Sequence, residues 1–223
     1  MLAEFKKKYI GDRAFYSYVI GIAIPMILQN VVTNFVNLLD NIMVGQVGTD
    51  QMSGVAIVNQ FMFVFNISVF GAVAGPGIFG TQFYGKNDIE GQRYTLRMRV
   101  LIGAVLMSAA MLIFGLFDTN LISLYLRSNS APESLAATLA YGKSYMSIML
   151  FTAIPFAAGQ VYSSALRECE ETKIPMIGSI SAVGINLILD YILIFGKFGF
   201  PRLGVQGAAI ATLVAKSVEA GVI

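Results

Sequence analysis

The stretch IPMILQNVVTNFVNLLDNIMVGQVG, residues 24–48, reads as a membrane-crossing helix that carries a carboxylate, Asp40, among four asparagines. A helix needs about 20 mostly apolar residues to span the hydrocarbon core, and the run beginning at Phe15 supplies them. A charged group within such a helix costs roughly 2.5–3.5 kcal/mol on insertion scales, so intramembrane acids are rare and mark ion or proton paths. A second acid, Asp190, sits in the same way in INLILDYILIFG, residues 185–196. Two intramembrane carboxylates point to ion-coupled transport machinery rather than to an inert anchor.

Composition agrees with that setting. Hydrophobic residues make up 56% of the chain and charged residues 13%, where soluble domains carry about 25% charged. The mean hydropathy of +0.70 demands a larger core than a soluble chain of 223 residues can enclose. A net charge of +2 does not suggest nucleic acid as a partner. The absence of histidine excludes His-based acid–base chemistry, Ser-His-Asp triads and His metal sites. The single Cys169 cannot form an internal disulfide and, between Glu168 and Glu170, reads as an inert thiol. Neither an enzyme nor a cofactor-dependent protein is expected, and no structural metal. The apolar stretch after the basic start is too long for a cleavable signal peptide.

Six apolar segments are long enough to cross the membrane: 15–44, 52–81, 100–116, 136–166, 174–195 and 204–223. Turn chemistry separates them at Gly45–Gly48, Gly85–Asp88, Ser128–Pro132 and Gly196–Pro201. The fold class predicted is an all-α polytopic membrane protein, with residues 1–223 as one six-helix unit. Lys6, Lys7, Lys8, Arg13, Lys86, Arg93, Arg97, Arg99, Arg167 and Lys173 fall in one set of loops, and only Arg127, Lys197 and Arg202 in the alternate set. The positive-inside rule then places the N-terminus in the cytoplasm of a plasma (inner) membrane protein. The end at Ile223, without a basic tail, suggests a truncation or one half of a larger assembly.

Asn30, Asn34, Asn37 and Asn41 are spaced four, three and four, which puts them on one helical face, flanked by Thr33 and Asp40. Such a face suits a water-filled cavity, or else polar glue between helices. Asn186 and Asp190 are four apart and share a face. At about 1.5 Å rise per residue, Asp40 lies roughly 7 Å before Gly45, Asp190 roughly 9 Å before Gly196, and Thr212 about 12 Å past Gly204. The two carboxylates, the Asn186 amide and the Thr212 hydroxyl therefore occupy one layer, an all-oxygen set suited to Na⁺ or to a shared proton. Pro25, Pro76 and Pro155 lie inside spans, where prolines kink helices, and Pro25 would hinge the first span below Asp40. The Gly75-Pro-Gly77-Ile-Phe-Gly80 run reads as a close-packing face.

Three stretches, IPMILQNVVTNFVNLLDNIMVGQVG, TQFYGKNDIEGQR and above all INLILDYILIFGKFG followed by LGVQGAAIAT, resemble the N-terminal lobe of multidrug and toxic compound extrusion (MATE) transporters, nearest the DinF-like branch. The resemblance implies a twelve-helix antiporter of two six-helix lobes, driven by a sodium or proton gradient. It implies an N-lobe cation site at Asp40, Asn186, Asp190 and Thr212, and a bending proline at Pro25. Asn30, Thr33, Asn34 and Asn37 are expected to line the cavity. Amphipathic, cationic organic compounds are the expected substrates, with a C-terminal lobe or a second copy needed for transport. The fourth loop, LRECEETKIP, departs from the family where glycines usually follow the arginine. Three alternatives stand beside this reading: a lipid-linked precursor flippase, which would want a basic cavity where only Lys143 and Lys216 fall in spans; a half-transporter fragment without function; and, remotely, an intramembrane aspartyl protease, whose Gly-x-Gly-Asp context is missing.

Overall fold

Helix ends fall where turn chemistry places them. In the computed structural model, which describes residues 11–126 and 131–223, the chain is all-helical. Among the described residues there are seven helices: α1 (Arg13–Gly45), α2 (Thr49–Gly85), α3 (Ile89–Leu116), α4 (Asp118–Tyr125), α5 (Pro132–Glu168), α6 (Lys173–Phe195) and α7 (Val205–Val222). Lys6, Lys7, Lys8, Arg127 and the turn at 128–130 lie outside the described residues. Asp12 caps α1 by accepting from the Phe15 N–H at 2.8 Å, and Asp88 caps α3 through the Gly91 N–H at 2.9 Å.

Three helices close through a left-handed residue and a long-reaching N–H. Gly196 (φ +67°) ends α6, with the Lys197 N–H donating to the Ile192 carbonyl. Asn87 (φ +56°) ends α2, with the Asp88 N–H on the Phe83 carbonyl. Glu170 (φ +64°) ends α5, with the Glu171 N–H on the Leu166 carbonyl. The loop without glycine thus makes the usual turn with a glutamate in a conformation that costs an L-residue about 1–2 kcal/mol. Glu170→Gly is expected to raise the unfolding free energy by about 1 kcal/mol, read as a higher melting temperature. A fall would show that the carboxylate contact of Glu170 with Tyr18 outweighs the backbone relief.

Two expectations are corrected. The third helix begins at Ile89, well before the apolar run expected from residue 100, so Arg93, Arg97 and Arg99 are helical and not in a loop. Charges are tolerated there because this turn precedes the apolar run and Arg99 finds a buried partner. The segment after Leu116, read as loop, contains α4. Asp118 holds its first turn, Ile122 is fully buried, and Lys143 of α5 reaches back to Asp118 (3.5 Å) and to the Thr119 hydroxyl (2.8 Å).

α1, α2, α3, α5 and α6 are long and apolar enough to cross a membrane. α7 has 18 residues, and Gln206, Lys216 and Glu219 keep it short of that hydropathy, so length and composition show five spans among the described residues and leave the sixth unconfirmed. α2 and α5, each of 37 residues, are about 55 Å long and exceed the hydrocarbon thickness unless they tilt or protrude.

α5 is central and packs on α2, α3 and α7; α6 packs on α7 and carries α1, which touches α2 only lightly. Glycines set the closest approaches. A Cβ on Gly54 would lie 2.8 Å from the Gly142 nitrogen and the Thr138 carbonyl across the α2–α5 contact. One on Gly207 would lie 2.7 Å from the Leu193 backbone across α6–α7. The core forms around Val55, Val58, Tyr145, Met146, Ile194 and Ala208 at one level and around Phe65, Val69, Ala110 and Ala153 at another. The Gly77–Gly80 face serves a purpose other than the expected helix-to-helix packing. It makes room for side chains, because a Cβ on either glycine would collide with Glu168, which is paired there with the fully buried Arg99.

Candidate functional site: a polar cavity with a carboxylate pair

Because α1 leans on α6 and stands away from α2, a cavity of about 560 Å³ opens between α1 and the α2–α5–α7 wall. α1 turns its polar stripe into it: Gln29, Asn30, Thr33, Asn37, Asp40 and Asn41 line the space. Asn34 is exposed and does not line it. Asn30 donates to the Met26 carbonyl and Asn41 to the Asn37 carbonyl, each one turn back on α1. None of the amides of Asn30, Asn34, Asn37 and Asn41 bonds another helix among the described residues, so these four do not act as interhelical glue here. Pro25 is buried inside an uninterrupted α1, one turn before Gln29.

The two acids come together. Asp40 and Asp190 stand carboxyl to carboxyl. Asp190 is fully buried behind Asp40, and only Asp40 lines the cavity. The Oδ1 of Asp40 and both oxygens of Asp190 are buried without a donor among the described residues. Buried carboxylates are normally paired or hydrogen-bonded; two whose buried oxygens meet each other need a proton or a cation between them. Asn186 and Thr212 line the same space, and the Thr212 hydroxyl donates to the Ala208 carbonyl at 3.0 Å, which leaves its lone pairs free to face a cation. Tyr145, also buried, lies near both acids with its hydroxyl on the Asn59 amide oxygen at 3.3 Å. No group of three or more His, Cys, Asp or Glu side chains that could hold a metal occurs among the described residues. The oxygen set thus fits a monovalent ion or a proton better than a tightly chelated divalent metal.

At the end of the cavity away from this pair, four helices meet in a chain of hydrogen bonds. Arg167 (α5) donates to the Gln29 Oε1 (α1) at 3.0 Å, and the Gln29 Nε2 donates to the Ser179 Oγ (α6) at 2.6 Å. Ser179 in turn donates to Glu219 (α7), whose other oxygen accepts from Lys216 at 2.7 Å. Reading the sequence missed this cluster because it ended the fourth span one residue before Arg167 and counted the arginine as loop. It also passed over Asn59, Phe63, Asn66 and Phe70, which line the cavity from α2. Their spacing of four, three and four repeats that of the α1 asparagines and is legible in the chain.

A protein-family model described as MatE matches residues 25–192. The Probable multidrug resistance protein NorM of Thermotoga maritima is 29% identical over 204 residues, 92% of this chain and 42% of that protein. Among solved structures, a MATE point mutant superposes with a TM-score of 0.80 at 20% identity, over 91% of this chain and 43% of that one. An outward-facing multidrug resistance MATE family transporter of the MOP superfamily gives 0.77 at 21% identity, again over 91% and 43%. At these identities the structural likeness shows the fold. This chain spans less than half the length of the relatives it matches.

Proposed function

Since this chain belongs to the MATE family of membrane transporters and not to an enzyme family, we propose that it forms the N-terminal lobe of a cation-coupled antiporter exporting amphipathic organic compounds. In this reading α7 is the sixth span, α4 is a short helix joining α3 to α5, and residues 1–223 make one lobe. The DinF-like motif at residues 185–212 favours that branch. The observation that carries the proposal is the Asp40–Asp190 pair, buried beside a polar cavity without donors among the described residues. Asn186 and Thr212 complete the ion site, Asn30, Thr33 and Asn37 face the compound, and Pro25 lets α1 bend. One charge crossing 100 mV yields about 2.3 kcal/mol, enough for roughly a fortyfold gradient. The open, asparagine-lined face of α1 calls for a partner, a C-terminal lobe or a second copy, because unpaired polar groups are costly in lipid. Reconstitution in vesicles tests the proposal: an imposed sodium or proton gradient must drive a fluorescent organic cation across the membrane, and indifference to both gradients refutes it.

The charge bias places the N-terminus inside. Single cysteines at Gln46 or Asp50 are then labelled by an impermeant maleimide from outside, and cysteines at Lys86 or Gln92 are not; the reverse pattern inverts the topology. Native Cys169 adds little background at neutral pH. Burial, and then the neighbouring Glu168, push its thiol above the ordinary range, so less thiolate is present and its labelling rises only at higher pH.

A further inference from the structure

The turn between α6 and α7 holds an aromatic ring away from the protein against a conformational cost. Phe198 is 83% exposed and sits at φ +55°, a left-handed conformation that is an outlier for a bulky L-residue. Backbone bonds fix the turn: the Lys197 N–H donates to the Ile192 carbonyl at 3.0 Å, the Phe200 N–H to the Lys197 carbonyl at 3.1 Å, and the Leu203 N–H to the Leu193 carbonyl at 2.9 Å. Strain held in this way clusters at binding sites. Phe198 lines an apolar groove of about 340 Å³ between α1 and α6, together with Met43 of α1 and Leu187, Ile188, Tyr191 and Ile192 of α6. α6 is long and apolar enough to cross a membrane, so this groove, beside its last two turns, reaches the membrane–water boundary at Phe198. The same turn carries two exposed cations, Lys197 and Arg202. A Cβ on Gly196 would lie 2.8 Å from the Arg202 nitrogen, so the backbones that carry the two cations meet. No acid occurs between Asp190 and Glu219, and neither cation is in an ion pair among the described residues.

We propose that the groove between α1 and α6 binds one membrane phospholipid with an anionic headgroup, its acyl chain against α6 and Phe198 and its phosphate on Lys197 and Arg202. Charge and depth select this occupant. An acyl chain suits an apolar groove on a membrane-crossing helix, and two cations just past the end of that helix stand at headgroup level, where each attracts anionic lipid. A zwitterionic headgroup offers the same phosphate but brings its own ammonium, which cancels the attraction. The groove borders the helix pair that carries both acids, since Met43 lies three residues past Asp40 and Tyr191 follows Asp190. The site requires only that α6 crosses a membrane and does not depend on the exporter reading.

The test counts lipids. The complete transporter, delipidated in detergent, is titrated with dioleoyl phosphatidylglycerol or dioleoyl phosphatidylcholine, and the lipids retained are counted by native mass spectrometry. The expected result is one more phosphatidylglycerol than phosphatidylcholine, held about thirtyfold more tightly, the effect of two cations on an anionic headgroup. Lys197→Gln combined with Arg202→Gln should lower the phosphatidylglycerol count by one, with a thermal melt confirming the fold. Phe198→Gly should lose the same lipid, while its melting temperature in lipid-free detergent stays level or rises, because glycine adopts the left-handed backbone without strain. Equal retention of the two lipids, an unchanged count in the charge variant, or a Phe198→Gly protein that keeps the lipid or melts lower overturns the site. So does a groove that retains no lipid because a second copy or another lobe covers it, seen as a doubled mass or as protection of Phe198→Cys from maleimide.

Discussion

Asp40→Asn and Asp190→Asn, introduced singly into the complete transporter, each reduce gradient-driven efflux to the level of empty membranes while the protein inserts and melts as before or at higher temperature. The reasoning is stereochemical. The two carboxyls face each other with three buried oxygens lacking a donor among the described residues. An amide at either position keeps the shape and supplies the N–H that the other acid lacks, so folding gains a hydrogen bond worth about 1.5–3 kcal/mol to a charged group. The same N–H occupies the place of the coupling ion. Loss of transport together with unchanged or improved stability separates an ion site from a structural pair. Full efflux by either variant removes that residue from the site, and a marked loss of stability would make the pair a structural element.

The second large effect is on folding and lies at the other end of the bundle. Glu168→Leu leaves Arg99, 1% exposed, without its counterion, with Nε and Nη1 already lacking an acceptor among the described residues. Breaking a buried ion pair from one side costs about 3–5 kcal/mol. Arg99→Leu costs less, because Glu168 is 16% exposed and keeps the Ser164 hydroxyl at 3.2 Å. The double replacement recovers much of the loss, since no orphaned charge remains. Unfolding titrations of the four proteins give the coupling directly. Additive losses across the cycle would mean that the two side chains do not act as a pair, and that Gly77 and Gly80 are small for another reason.

What the chain discloses, and what it withholds, follows from range. Apolar length and turn residues are local properties, so the long helices and their ends at Gly45, Gly85 and Gly196 are legible. A carboxylate inside an apolar run is legible because its cost does not depend on its partners. The contact of Asp40 with Asp190 is a meeting of α1 and α6, and spacing gives only their common depth. Arg99 and Arg167 were read as loop cations because hydropathy ends a span where charge begins. A helix continues past that point when a partner such as Glu168 or Gln29 waits in the fold. α4 went unseen for a similar reason: eight residues hold as a helix only because Ile122 and the Asp118–Lys143 contact anchor them to α5.

In the proposed function Asp40 and Asp190 together hold the coupling ion of this lobe. Counting bound ions tests it most directly: radiolabelled sodium retained, and protons released on sodium addition or titrated in its absence, for the detergent-solubilised complete transporter and for its Asp40→Asn/Asp190→Asn double variant. The double variant is expected to bind fewer ions, losing one saturable sodium or proton site, with its fold intact by thermal melt. An unchanged number of bound ions in the double variant would contradict it.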